Sequence, residues 1–152
     1  MAYAERTEVP IEKSIAEAVS LVKRAGAARI MQYEEPGHFV LQFELGGRLI
    51  RFSVGLPAIE EMPGKDGRGM PIALTARMKK QNQAHRQRAR ALLLVIKAKI
   101  ESVESKVETF EEAFLAHVVM ADDRTVYERI AAPIAREYET GAPQLMLPGR
   151  QS

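Results

Sequence analysis

Residues 39–54 read FVLQFELGGRLIRFSV. Phe39, Leu41, Phe43 and Leu45 alternate with Val40, Gln42 and Glu44, the two-residue period of a half-buried strand. Gly46-Gly47 supplies two adjacent positions that tolerate positive φ, which a two-residue hairpin turn requires. The return run alternates again, with Ile50, Phe52 and Val54 on one side and Leu49, Arg51 and Ser53 on the other. If Leu45 pairs with Arg48, then Phe43 faces Ile50, Leu41 faces Phe52 and Phe39 faces Val54. One side of the hairpin is then apolar and buried, and the other carries Gln42, Glu44, Arg51 and Ser53 to solvent.

Outward from the hairpin, Ala28 to Tyr33 forms a third short strand, separated from it by the turn residues Glu35-Pro36-Gly37. Before it, Val9-Pro10 opens a helix whose apolar line is Ile11, Ile15, Ala18, Val19 and Val22, with Gly26 as its C-cap. After the hairpin, residues 57–73 hold Pro57, Pro63, Pro71, Gly64, Gly67 and Gly69 and read as a mobile loop. A long helix is expected from Leu74 to Glu108. Ala89, Leu93, Ile96, Ile100, Val103, Val107, Phe110 and Phe114 follow one another by four and three, a 3.5-residue repeat that suits a coiled-coil seam or a tightly packed helix pair. Leu93, Ile96, Ile100, Val103 and Val107 are the candidate oligomer seam. Thr109 with Glu112 forms a capping box and favours a corner there. Val118 to Met120 suits a short strand, and Thr125 with Glu128 opens a last helix to Tyr138 that Gly141 ends. In the tail, Leu145, Met146 and Leu147 between Pro143 and Pro148 are expected to dock on the body or a partner. The expected fold is a single α+β domain over residues 1–152: a three-stranded antiparallel sheet packed by the first and the long helix, with two further C-terminal helices.

The chain has 152 residues, 46% hydrophobic and 28% charged, a soluble globular balance with length enough for a real core. It has no Cys, so disulfides, thiolate nucleophiles and zinc–sulfur sites are excluded. No run reaches the roughly 18–20 apolar residues of a membrane span. The start, MAYAERTEVP, is charged and shows no export signal. A bacterial cytoplasmic location without membrane partners is the expectation.

Charge is segregated. Residues 1–64 hold 7 basic and 9 acidic side chains, residues 65–99 hold 10 and 1, and residues 100–139 hold 4 and 10. The middle stretch is therefore built to attract a polyanion or an acidic protein surface, the following acidic segment of the same chain included. Before Ala89 the long helix has no apolar seam, so residues 75–90 form a basic half-helix that projects from the core. At about 100° per residue, Lys79, Arg86, Arg90 and Lys97 make one stripe, and Arg77, Arg88 and Lys99 a second on the other side of the apolar seam. Arg77, Lys79, Lys80, Arg86, Arg88, Arg90 and Lys97 are the candidate phosphate contacts, with Lys65 and Arg68 from the loop, and Arg48 and Arg51 on the hairpin extending the surface. Lys and Arg bind phosphates with little sequence preference. Aromatic platforms for stacking bases are scarce; His85 is the one candidate within the basic stretch.

Nothing nominates a catalytic residue. His38, His85 and His117 form no HExxH motif. His117 lies in sequence between Glu111-Glu112 and Asp122-Asp123, but the spacing suits a structural histidine. Gly64-Lys65-Asp66-Gly67 lacks the Lys-Ser/Thr ending of a phosphate loop. The chain is read as a non-enzyme without metal or cofactor.

Two stretches, MAYAERTEVPIEKSIAEAVSLVKRAGA and RQRARALLLVIKAKIESVESKVETFEEAFLAHVVMADDRTV, resemble a group of small phage- and prophage-associated proteins with no assigned activity. The resemblance covers most of the chain, with Ala58 to Leu74 the most divergent part. Members of the group tend to carry an aromatic after the basic cluster, where this chain has Ala89. The resemblance implies a phage-type setting, in which small basic proteins handle DNA. The expected function is that of a sequence-nonspecific accessory protein binding single- or double-stranded DNA. The rival is an assembly module, homo-oligomeric or docked on an acidic protein.

Overall fold

The computed structural model describes residues 8–146. The elements run α1 (Ile11–Arg24), β1 (Ala28–Glu35), β2 (His38–Leu45), β3 (Arg48–Gly55), α2 (Leu74–Glu104), α3 (Phe110–Phe114) and α4 (Val126–Thr140), with 3₁₀ turns at Ile59–Glu61 and Leu115–His117. The fold is α+β, with an antiparallel sheet in the order β1-β2-β3. The hairpin register is the expected one: Leu45 opposite Arg48, Phe43 opposite Ile50, Leu41 opposite Phe52 and Phe39 opposite Val54. Gly46 and Gly47 adopt φ of 59° and 73°, the left-handed values the turn demands.

The apolar side of the sheet is the floor of the core. Phe39, Leu41, Phe43, Ile50 and Phe52 pack under Ala18 and Val22 of α1 and Leu92, Leu93 and Ile96 of α2, and Ala113 and Phe114 of α3 close one end. Burial of each large side chain contributes about 1.5–3 kcal/mol. This core fills the 3.5-residue seam of α2 from within the chain. Leu93 and Ile96 are buried, and Ile100 and Val103 pack against the same cluster. The expected oligomer seam is therefore corrected to an intramolecular one. Val107 does not belong to it; it is 77% exposed.

The reason lies in how α2 stops. Lys106 takes φ of 62°, its N–H donates to Val103 O and the N–H of Val107 to Ser102 O. Those paired bonds end the helix at Glu104, four residues before the expected Glu108. The corner at Thr109 follows, with its capping box to Glu112 formed, and Thr125 with Glu128 forms the second. Gly26 closes α1 by the same paired-bond pattern, donating to Lys23 O while Ala27 donates to Val22 O. The expected strand at Val118 to Met120 is reduced to single bridges, Val118 with Ile50 on the outer edge of β3 and Val119 with Thr125.

On the other side of the sheet β1 slips register between Ala28 and Met31, where Arg29 takes φ of 50° and reaches Glu44 of β2 at 3.2 Å. In the tail, Leu145 is exposed and Leu147 lies outside the described residues.

Candidate nucleic-acid interface

None of residues 74–88 of α2 is buried; the first buried position is Ala89. The half-helix thus extends past the core, and the chain holds it by another means. Arg77 donates to the carbonyls of Ile59 (3.0 Å) and Met62 (3.5 Å), Gln81 to Pro57 O (3.2 Å) and Arg88 to Gly55 O (3.1 Å). His85 Nε2 lies 2.9 Å from the same Pro57 oxygen; a carbonyl only accepts, so this nitrogen carries the proton. Positions 77, 81, 85 and 88 share one side of a helix, and residues 55–62 run along it. Eleven residues beyond Arg88, Lys99 donates to Ala113 O at 2.7 Å.

The two basic stripes therefore differ in what they do. Arg77, Arg88 and Lys99 grip main-chain carbonyls of their own chain. Arg77 and Arg88, expected to face phosphates, are loop anchors, and His85, expected as a stacking platform, is a third. Of the stripe of Lys79, Arg86, Arg90 and Lys97, only Arg90 is ion-paired among the described residues. Lys79 and Lys97 are exposed and have no hydrogen bond or ion pair among the described residues. Arg86 bonds Gln83 Oε1 at 2.6 and 3.2 Å, a neutral acceptor that leaves its charge uncompensated. Arg90 meets Glu17 of α1 at 3.3 Å.

Packing of α1 beside α2 adds two cations that the sequence reading missed. A groove of about 500 Å³ between the helices is lined by Lys13, Glu17 and Arg24 of α1 and by Arg90 and Lys97 of α2, over a floor that includes Ala16, Leu93 and Leu94. The available signal was the spacing of Lys13, Glu17 and Arg24 on one polar margin of α1. Four cations and one carboxylate make the groove electropositive, and the low-dielectric floor strengthens that field. Toward its C-terminal end the walls turn acidic at Glu101 and Glu104. Neither these nor Glu111 pairs with the open stripe: the ion pairs among the described residues are Arg29–Glu44, Arg51–Asp123, Arg90–Glu17 and Arg129–Asp122.

The remaining candidates fall elsewhere. Lys80 is exposed on the half-helix. Lys65 and Arg68 flank a tight turn in which Asp66 Oδ1 accepts from the N–H groups of Arg68 and Met70. Arg51 is taken up by Asp123, at 2.6 Å to Oδ1 and 2.8 Å to the carbonyl, so it does not extend the surface. Arg48 sits at the hairpin tip on Gly47 O. His117 is half-buried against Phe52, and burial, then the charge of Lys99, pushes its pKa below the ordinary value. Among the described residues no group of three or more His, Asp or Glu is arranged to hold a metal ion, and no helix is long and apolar enough to cross a membrane. No family model, curated protein or solved structure matches the chain.

Proposed function

We propose that the chain is a sequence-nonspecific DNA-binding accessory protein, acting in the phage-type setting its sequence resembles. The observation that carries this reading is the row Lys79–Arg86–Arg90–Lys97, whose members Arg90 and Lys97 line a groove with Lys13 and Arg24 of α1, and which is relieved by one carboxylate, Glu17, paired with Arg90. Such a row neutralises consecutive phosphates and releases their condensed counterions. Among the described residues no aromatic ring lines the groove, so it offers phosphate contact without stacked bases. Contact of that kind positions a strand and leaves its sequence unread.

Five of the six cations, Lys13, Arg24, Lys79, Arg86 and Lys97, have no carboxylate partner among the described residues. Their engagement sets a salt slope in log K of about −3.5 on single strands and about −4.5 on duplex. The test is fluorescence anisotropy with labelled single- and double-stranded DNA across a salt series. Binding at low salt with that slope, abolished by Arg86→Glu with Lys97→Glu, supports the reading. Absence of binding at about 50 mM salt overturns it.

A further inference from the structure

The stripe of Lys79, Arg86, Arg90 and Lys97 changes sign before α2 stops. At about 100° per residue, Glu101 and Glu104 fall within about 40° of it. One line along α2 thus carries four cations and then, on the last turn, two carboxylates. Both carboxylates are exposed, and neither has an ion pair among the described residues. Lys97 precedes Glu101 by four positions, the weaker order for a pair on a helix. Arg24 and Lys97 share a hollow with the two glutamates beside the end of α1. The line therefore steps from attracting a polyanion to repelling one.

The cationic part of the line has a length and a shape. Lys79 and Lys97 stand about 27 Å apart along the helix, at about 1.5 Å per residue. No Pro or Gly lies in α2, so no sharp kink breaks the line. A duplex strand winds once round its axis in about 34–36 Å. A quarter turn, about 9 Å, already carries it off a straight row, which then reaches two or three of its phosphates. A single strand has no such winding and straightens along the whole row. The groove beside α1 adds a second condition. Lys13 and Arg24 stand on one wall and Arg90 and Lys97 on the other, and packed helices lie about 8–10 Å apart. A gap of that width seats one phosphate backbone between its walls and does not admit a duplex, whose major groove alone is about 12 Å wide.

Given DNA binding through this row, on which the step rests, we infer that the ligand is a single strand laid lengthwise along α2, with Glu101 and Glu104 fixing where it ends. The strand occupies the row from Lys97 back to Lys79 and leaves past the start of the helix, where no carboxylate of α2 opposes it. Between Lys97 and Arg90 it lies in the groove, touched from both walls. The glutamates are specificity-determining residues: they limit the footprint and hold the strand in one register along the helix.

The test is fluorescence anisotropy of the full chain with labelled oligothymidylates of increasing length and with a blunt-ended duplex, each across a salt series. The single strand is expected to bind more tightly at about 50 mM salt, with a slope in log K of about −3.5 for five contacts against about −1.8 to −2.7 for two or three on the duplex. Affinity for oligothymidylate climbs with length and levels off once the strand spans the row. Glu101→Lys with Glu104→Lys adds two contacts, steepens the single-strand slope by about 1.4 and moves the levelling-off to longer strands. Glu60→Lys with Glu61→Lys makes the same charge change off the row and does neither. All four positions are exposed, so both variants keep the parent's circular dichroism. A duplex bound as tightly and as steeply as the single strand, or a Glu101 and Glu104 variant indistinguishable from the Glu60 and Glu61 one, overturns the inference and leaves DNA binding standing. Absence of binding to both probes at about 50 mM salt overturns DNA binding itself, and this inference with it.

Discussion

The imidazole of His117 lies on the ring of Phe52, centroids 4.0 Å apart and planes 25° from parallel. Burial favours the neutral ring and Lys99 adds to that; a hydrogen bond from the imidazole to the backbone carbonyl of Arg51 opposes both and is outweighed. The folded pKa is therefore below the unfolded one, near 6.5. As pH falls through that value the unfolded chain takes up a proton that the folded chain refuses, so stability is full above it and declines below. The urea midpoint should fall between about pH 7 and 5.5. His117→Phe, which keeps the stack, should flatten the profile in this window; a variant profile parallel to the parent's removes His117 as the cause.

A second, more acidic window belongs to the helix caps. The N–H groups of Thr125 and Thr109 hold Glu128 and Glu112 below the usual carboxylate range. These carboxylates favour the fold above the unfolded value, near 4.3, and the benefit fades as pH drops through their folded values. At neutral pH, Thr125→Ala should cost about 1–2 kcal/mol and Thr109→Ala nearer the lower end, because Thr125 is buried while Thr109 is exposed. Chemical denaturation of both variants checks the order.

The division between the two basic stripes separates stability from binding. Arg77→Met and Arg88→Met release residues 55–62 from the helix. They should speed tryptic cleavage at Lys65 and Arg68 while leaving the salt slope on DNA unchanged. Arg86→Gln and Lys97→Gln should do the reverse, each flattening the slope by about 0.7–0.9 with no new cleavage. Equal loss of binding from both pairs would dissolve the distinction.

At the hairpin tip the two glycines are not equivalent. A methyl group on Gly46 would come 3.0 Å from Cε1 of Phe110, whereas one on Gly47 meets nothing within 4 Å. Both positions have positive φ. Gly47→Ala should cost the backbone strain alone, about 1–2 kcal/mol. Gly46→Ala should cost more, because the ring of Phe110 must also shift, and thermal unfolding of the two variants measures the difference.

Residues 39–54 were readable because a two-residue turn fixes register and a period of two fixes which side is buried; either signal alone would leave a slip open. Gly26, Thr109, Thr125 and Gly141 were readable because caps are local chemistry. The end of α2 was not, since Lys106 takes a left-handed conformation that nothing in its residue type announces. Nor could a 3.5-residue repeat say whether Leu93 and Ile96 meet a sheet or a second helix. The open cations were the hardest to assign. Arg86 and Arg88 are the same residue two positions apart, and what separates them is the path of residues 55–62, set by packing far along the chain. Lys13 and Arg24 joined them only through the docking of α1 on α2.

The slip at Arg29 bears on how this chain behaves when crowded. Among the described residues β1 is bonded on one side only, to β2, and an open strand edge is a template for fibrils. Here the bulge bends the first half of that rim out of line, and Glu34 and Glu35 charge its last two positions, so two such rims repel when brought together. Strand-by-strand accretion has neither a straight nor a neutral place to begin.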